Sequence, residues 1–319
     1  MQLFMKAHKL TAITAVIIIL ITNTAAAFSD GKTTFSVKYK DEIIRYKTFG
    51  IYVMPGEKVD FEVLDTPDQG NYGLEAGADG ITKVDNNKWR WEVPQEKGLY
   101  ELVITNPPRN DTMILNTFVM VPFRQIQGEY LNGYRIGKYP EEPLRDLEIY
   151  EPPDGFIEVT EQNQDTYISP HFQLKQFLCK QNGDYPEYVV LRERLLSKLE
   201  IVLAKVNEAD YQCETFYVMS GYRTPYYNEV IRDVRYSRHI YGGAADIFID
   251  VDPVDGVMDD LNKDGKINYS DADVLYDIVD DMYGKPWYEI LIGGLGKYGC
   301  TECHGPFVHI DVRGFRARW

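Results

Sequence analysis

Apolar residues recur along this chain with two different spacings, and the change from one to the other divides it. Val59, Phe61 and Val63 alternate with polar residues after the turn Met54-Pro55-Gly56-Glu57, and Gly98 to Ile104 and Thr117 to Val121 repeat the alternation. A period of two puts every second side chain on one face of a strand. Short strands separated by turn residues predict a β-sandwich over residues 28–123. The aromatic residues there, Trp89 and Trp91 among them, fit a packed core better than a sugar-binding face. Residues 124–165 are rich in Gly, Pro and Tyr and predict an ordered connector. Beyond them the spacing becomes helical, first in His171 to Leu178. It recurs in Leu191, Leu195, Leu199, Val202, Leu203 and Val206, which predict an amphipathic helix over about 187–206. Thr215 to Met219 reads as a buried strand leading into Ser220-Gly221-Tyr222-Arg223-Thr224-Pro225. Asp246 to Asp252 and Phe307 to Arg313 return to alternation. Helix and strands together predict an α+β domain over 166–319.

The N-terminus has its own pattern. Lys6, His8 and Lys9 precede an apolar run from Leu10 to Ile21, and Ala25 and Ala27 stand before Phe28. This is the layout of a secretory signal over 1–27, too short to span a membrane comfortably. An exported protein, periplasmic or extracellular and without a membrane span after cleavage, is expected.

Length and charge narrow the picture. The 319 residues have room for two domains after the leader, and 44% hydrophobic content suits a globular chain. A net charge of −15 argues against nucleic acid as a partner. The acidity is concentrated in residues 250–281, which hold eleven Asp and two Lys. Within it, Asp260, Asn262, Asp264, Asn268 and Asp271 occupy positions 1, 3, 5, 9 and 12 of a calcium loop. Gly265 stands at position 6, and Lys266 at position 7 offers its carbonyl. A helix should follow, with Ser270 and Asp273 as its capping box. A structural calcium ion in an insertion at about 250–285 is therefore expected, with Asp at position 12 more like a dockerin repeat than an EF-hand. Four cysteines, Cys179, Cys213, Cys300 and Cys303, predict disulfides in an exported chain, with the pairing open. Two imidazoles and a carboxylate, His239, Asp246 and His309, form a donor set suited to a catalytic zinc whose fourth position is open to water.

The motifs around these residues resemble a known family. Ser220 to Asn228, Ser237-x-His239-x-x-Gly242-x-Ala244-x-Asp246, Gly293 to Tyr298 and Phe307 to Arg313 are similar, in that order, to the D-alanyl-D-alanine metallopeptidases. The resemblance covers about residues 169–319 apart from the acidic insertion. It implies the fold shared by zinc peptidoglycan peptidases and the hedgehog signalling domain. It also implies zinc on His239, Asp246 and His309, with Arg223 stabilising the substrate carbonyl. Peptidoglycan stem peptides or cross-links are the implied partners. Relatives commonly carry a base three residues before the last histidine, where this chain has Pro306. Asp311 and His304 are the nearby alternatives. Asp311 is preferred because it shares a strand face with His309, as the base or as a group that orients the metal site. Residues 28–123 resemble bacterial immunoglobulin-like modules, through "PGE…WRWEVP…GLYELVI". The rival to the peptidase is a hedgehog-like binding module that keeps its metal without chemistry.

Overall fold

A computed structural model describes residues 28–64, 72–77, 79–302 and 304–319. The leader expected over 1–27 lies outside the described residues. Among the described residues no helix is long and apolar enough to cross a membrane.

The protein is mixed α+β and rich in strands, arranged in several sheets. Nine strands form the N-terminal part: β1 (Lys32–Tyr39), β2 (Glu42–Tyr46), β3 (Thr48–Val53), β4 (Lys58–Leu64), β5 (Gly73–Ala76), β6 (Ile81–Asp85), β7 (Lys88–Glu92), β8 (Gly98–Asn106) and β9 (Asp111–Val119). They pair as two sheets, β2-β1-β4-β7-β6 and β3-β9-β8-β5. The alternation sets which side faces in: Val59, Phe61 and Val63 are buried while their neighbours are partly or fully exposed. Trp91 of the first sheet meets Tyr100 of the second edge to face at 6.3 Å, so these aromatics do pack inward.

The connector contributes ladder as well as loop. β10 (Val121–Pro122) pairs with β11 (Gly155–Val159), which pairs with β12 (Glu187–Val189). The last strand shortens the expected helix. α1 runs Glu193–Glu208, because Tyr188 and Val189 serve as strand residues and Arg192 is extended. Leu195, Leu199, Val202, Leu203 and Val206 form its buried side as their spacing requires. His171 to Leu178 is not an α-helix; it is a short strand at Phe172–Gln173 and one 3-10 turn, Leu174–Phe177.

The C-terminal sheet is built from β13 (Tyr217–Ser220), β14 (Ala244–Phe248), β15 (Gly294–Tyr298), β16 (Phe307–Asp311) and β17 (Ala317–Arg318), in the order β13-β14-β16-β15-β17. Between its strands lie α2 (Pro225–Val230), capped by Thr224 Oγ1, which accepts from Tyr227 N–H, and α3 (Tyr269–Asp280). The cap of α3 differs from the expected one. Asn268 is the N-cap and Asp271 its partner, whereas Asp273 turns away to pair with Lys297. α1 packs behind the sheet, where the buried Lys198 donates to the Asp311 carbonyl at 2.8 Å.

The cysteines form no bridge among the described residues. Cys179 and Cys213 are buried free thiols and Cys300 is an exposed one, while Cys303 lies outside the described residues. Burial pushes the Cys213 thiol up to about 12, so it packs as a small apolar side chain.

Candidate metal centre

The sheet register assembles the site. Asp246 on β14 stands directly opposite His309 on β16, and Ser220 on β13 stands opposite Asp246. Directly paired residues share a face of the sheet with Cβ atoms about 5 Å apart, so residues 63 apart in the chain become neighbours. His239 arrives from the 3-10 turn Arg238–Tyr241. Gly242 ends that turn at φ 66°, and a Cβ there would sit 2.3 Å from the Val190 carbonyl. Only glycine meets both conditions, which explains its place between the two ligand candidates.

The three side chains converge. His239 Nε2 lies 3.2 Å from Asp246 Oδ1 and 3.2 Å from His309 Nδ1, and His309 Nδ1 lies 2.8 Å from Asp246 Oδ1. All three are buried. The far side of each ring is already committed. His239 Nδ1–H donates to the Gly221 carbonyl at 2.7 Å, and His309 Nε2–H donates to Asp311 Oδ2 at 3.2 Å. Both rings therefore turn their other nitrogen toward one carboxylate oxygen, and three acceptors facing one point need a positive charge between them. Burial lowers the His239 imidazole from its ordinary value, leaving it neutral as a ligand must be. Burial also opposes charge on His309, but hydrogen bonds to Asp246 and Asp311 outweigh it and raise it to about 9. For Asp246 burial favours the neutral acid, yet the two imidazoles hold its carboxyl well below the usual carboxylate range. A proton shared by His309 and Asp246 would supply the positive charge, and so would a divalent cation. The donor set fits: His239, Asp246 and His309 form a buried group that can hold a metal ion.

Arg223 completes the cluster from the β13–α2 loop. Its Nε donates to Ser220 Oγ at 2.7 Å, and its terminal nitrogens reach Asp233 Oδ2 at 2.6 Å and Asp246 Oδ2 at 2.5 Å. The cluster opens into a cleft of about 430 Å³ walled by Tyr236, Tyr298, Phe307 and Trp319 among others.

Two of the expected site residues stand elsewhere. Asp311 is fully buried on the far side of the His309 ring, where Arg313 and the Gly294 N–H bind its carboxylate. It orients the imidazole and does not face the cleft. Gly293 passes so close that a Cβ would lie 1.8 Å from the Asp311 carbonyl, which accounts for the Gly293-Gly294 pair. His304 is not among the residues lining the cleft; its ring meets that of Phe307 edge to face at 5.0 Å. The residue not singled out in the sequence is Asp233. Besides Asp246 it is the acid lining the cleft, and its signal was weak because it lies in the unpatterned stretch between α2 and Ser237.

In the acidic loop, Asp260 accepts from Asp264 and Gly265 N–H groups, and Asn262 Oδ1 accepts from Asp264 N–H. Asp271 is buried and accepts from Leu261, Asn262 and Asn268 N–H groups. Among the described residues, the only convergence of three His, Cys, Asp or Glu donors is the His239–Asp246–His309 group.

A scan of the chain against protein-family models finds no match, and a search of curated proteins finds none either.

Proposed function

We propose that the protein is an exported zinc peptidase that hydrolyses peptide bonds of bacterial peptidoglycan, with an immunoglobulin-like sandwich preceding a hedgehog-like catalytic domain. The observation that carries the reading is the pair of imidazoles, each fixed from behind, aimed at one carboxylate oxygen beside a solvent-open cleft. Zinc bound by His239, Asp246 and His309 would supply Lewis acidity and lower the pKa of a bound water. The chain's own groups supply the rest. Asp233, on the cleft wall, is assigned the proton released by the attacking water, since neither Asp311 nor His304 lines the cleft. Arg223 sits between Asp233 and Asp246 and carries the fixed charge that balances a developing oxyanion. Asp311 holds His309 in one ring orientation through the reaction. Calcium in the 260–271 loop is part of the same reading, as a brace for the acidic insertion before α3.

A second reading, a metal-stabilised binding module without chemistry, is favoured by Pro306 and by the ion pairs that already engage Arg223. One experiment separates them. Muropeptides are incubated with the zinc-loaded protein, with chelated protein and with His239→Ala, and the products are read by mass spectrometry. Stem-peptide fragments are expected from the first alone. Intact muropeptides in all three arms would overturn the peptidase.

A further inference from the structure

Away from the metal centre, one histidine holds the segment that precedes β1. His171 stands at the turn between the short strand segments Tyr167–Ser169 and Phe172–Gln173. Its backbone N–H donates to Glu200 Oε1 at 3.0 Å, and its ring Nδ1 lies 2.7 Å from Glu200 Oε2. Glu200 lies on α1 and is 2% exposed, so both oxygens of a buried carboxylate are spent on this one residue. The face of the imidazole carries Phe28, stacked at 4.8 Å with 22° between the planes. Gly31, at φ 60°, packs so tightly on Pro170 that a Cβ would lie 2.5 Å from the proline ring. Residues 28–31 are thereby pinned to α1 through Pro170 and His171.

The proton count of the ring decides how many of these bonds it can make. A neutral imidazole has one N–H and an imidazolium has two. Glu200 accepts one of them, and the ring is also hydrogen-bonded to the Ser29 backbone. A carboxylate and a carbonyl can only accept, so making both bonds together requires the imidazolium. Burial opposes the charge on His171, but Glu200, the Ser29 carbonyl and Asp30 outweigh it and raise the imidazole above its ordinary value. The charged groups around it are few. Glu200 faces it from α1, and Asp30 faces it from the N-terminal segment while pairing with Lys32 of β1. On β2, Tyr46 lies near Glu200 and Asp30 with Arg45 beside it, and burial raises Tyr46 so that it stays neutral.

We propose that His171 is a pH-operated latch, which as an imidazolium ties residues 28–31 to α1 and on losing its proton keeps Glu200, drops Ser29 and frees the segment ahead of β1. The sign follows from the direction of the shift. A histidine raised above its unfolded value, about 6.5, holds the latch fully closed below that pH and opens it as pH rises through the raised value.

The test takes two local readouts on the intact chain over about pH 5 to 9, the range in which histidines titrate. Imidazole NMR signals, assigned with His171→Gln, give the His171 midpoint. Hydrogen exchange of the peptide covering residues 28–39, corrected for the intrinsic effect of pH, gives the protection of the segment and of β1. The His171 midpoint is expected above about 6.5, with protection of residues 28–31 falling about 10-fold across it, the scale of one charge-assisted hydrogen bond. β1 should keep its protection throughout. Asp30→Asn, a change at an exposed position, should move the midpoint and the exchange step down together, and His171→Gln should remove the step. Glu200→Gln should lower the midpoint further, with a thermal melt to check that α1 still folds. A wild-type midpoint at or below about 6.5, or protection of residues 28–31 that does not change across it, would overturn the latch. Loss of protection along β1 in the same step would overturn it too, since the event would then be unfolding of the sheet and not release of a segment.

Discussion

Asp246 and Asp311 touch the same imidazole from opposite sides, and the difference in what they do is set by their other neighbours. Asp246 faces His239, Arg223 and the cleft, whereas Asp311 is closed in by Arg313 and the Gly294 amide. Burial raises Asp311, but His309 and Arg313 overcome it and hold the carboxyl far below the usual range. It is thus a permanent acceptor that fixes the His309 ring. Asp311→Asn should weaken zinc affinity by roughly 10- to 100-fold, the usual effect of losing a partner behind a metal ligand. Competition with a chromophoric chelator measures this, and an unchanged affinity would remove Asp311 from the metal site. The sequence showed that Asp311 shares a strand with His309. It did not show that the ring stands between that carboxylate and the cleft, because the side on which a side chain lies depends on what packs against it.

At the scale of elements, α3 and the loop before it tie local chemistry to the C-terminal sheet. Asn268 accepts from Ser270 N–H, and Asp271 returns the bond to Asn268 N–H, closing a capping box two residues earlier than Ser270 and Asp273 would have placed it. Either pair satisfies the sequence rule; tertiary contact chose between them by drawing Asp273 to Lys297 on β15. Asn268→Ala should cost about 0.5–2 kcal/mol in a denaturant melt with chelator present. If calcium occupies the loop, adding it to chelator-washed wild-type protein raises Tm, and Asp260→Ala abolishes the rise. A calcium-insensitive melt would leave this loop as a hydrogen-bonded turn alone. α1 teaches a similar lesson. Its leucine and valine stripe was legible, but its first turn was not, since Glu187 to Val189 are claimed by a neighbouring strand that lies 30 residues upstream.

Across the whole molecule, the N-terminal sheets and the C-terminal part meet at the start of α1. Glu193 Oε1 accepts the Tyr52 amide of β3 at 3.1 Å, and Arg194 pairs with Glu42 of β2 at 2.6 Å. Burial at this seam raises the Glu193 carboxyl to about 7. An acid whose folded value exceeds its unfolded one takes up a proton on folding, so its contribution to stability is largest below about pH 4.5 and is lost as pH rises through about 7. Glu193→Gln should flatten the pH dependence of Tm across that window and raise Tm at neutral pH. A variant whose melt keeps the wild-type slope would show that the seam does not hold a protonated Glu193.

What the sequence determined by itself follows from local periodicity and spacing. Alternation marked the strands around Val59–Val63 and Gly98–Ile104 and the buried face of the first. Leucine spacing fixed the core side of α1. His239, Asp246 and His309 were legible as candidates, and the structure brings them together as a buried group that can hold a metal ion. Tertiary structure alone decided which carboxylate faces the cleft and which stands behind a ring. It also left Cys179 and Cys213 as free buried thiols. These outcomes depend on contacts between segments distant in the chain, where register and burial choose among side chains whose local patterns are alike.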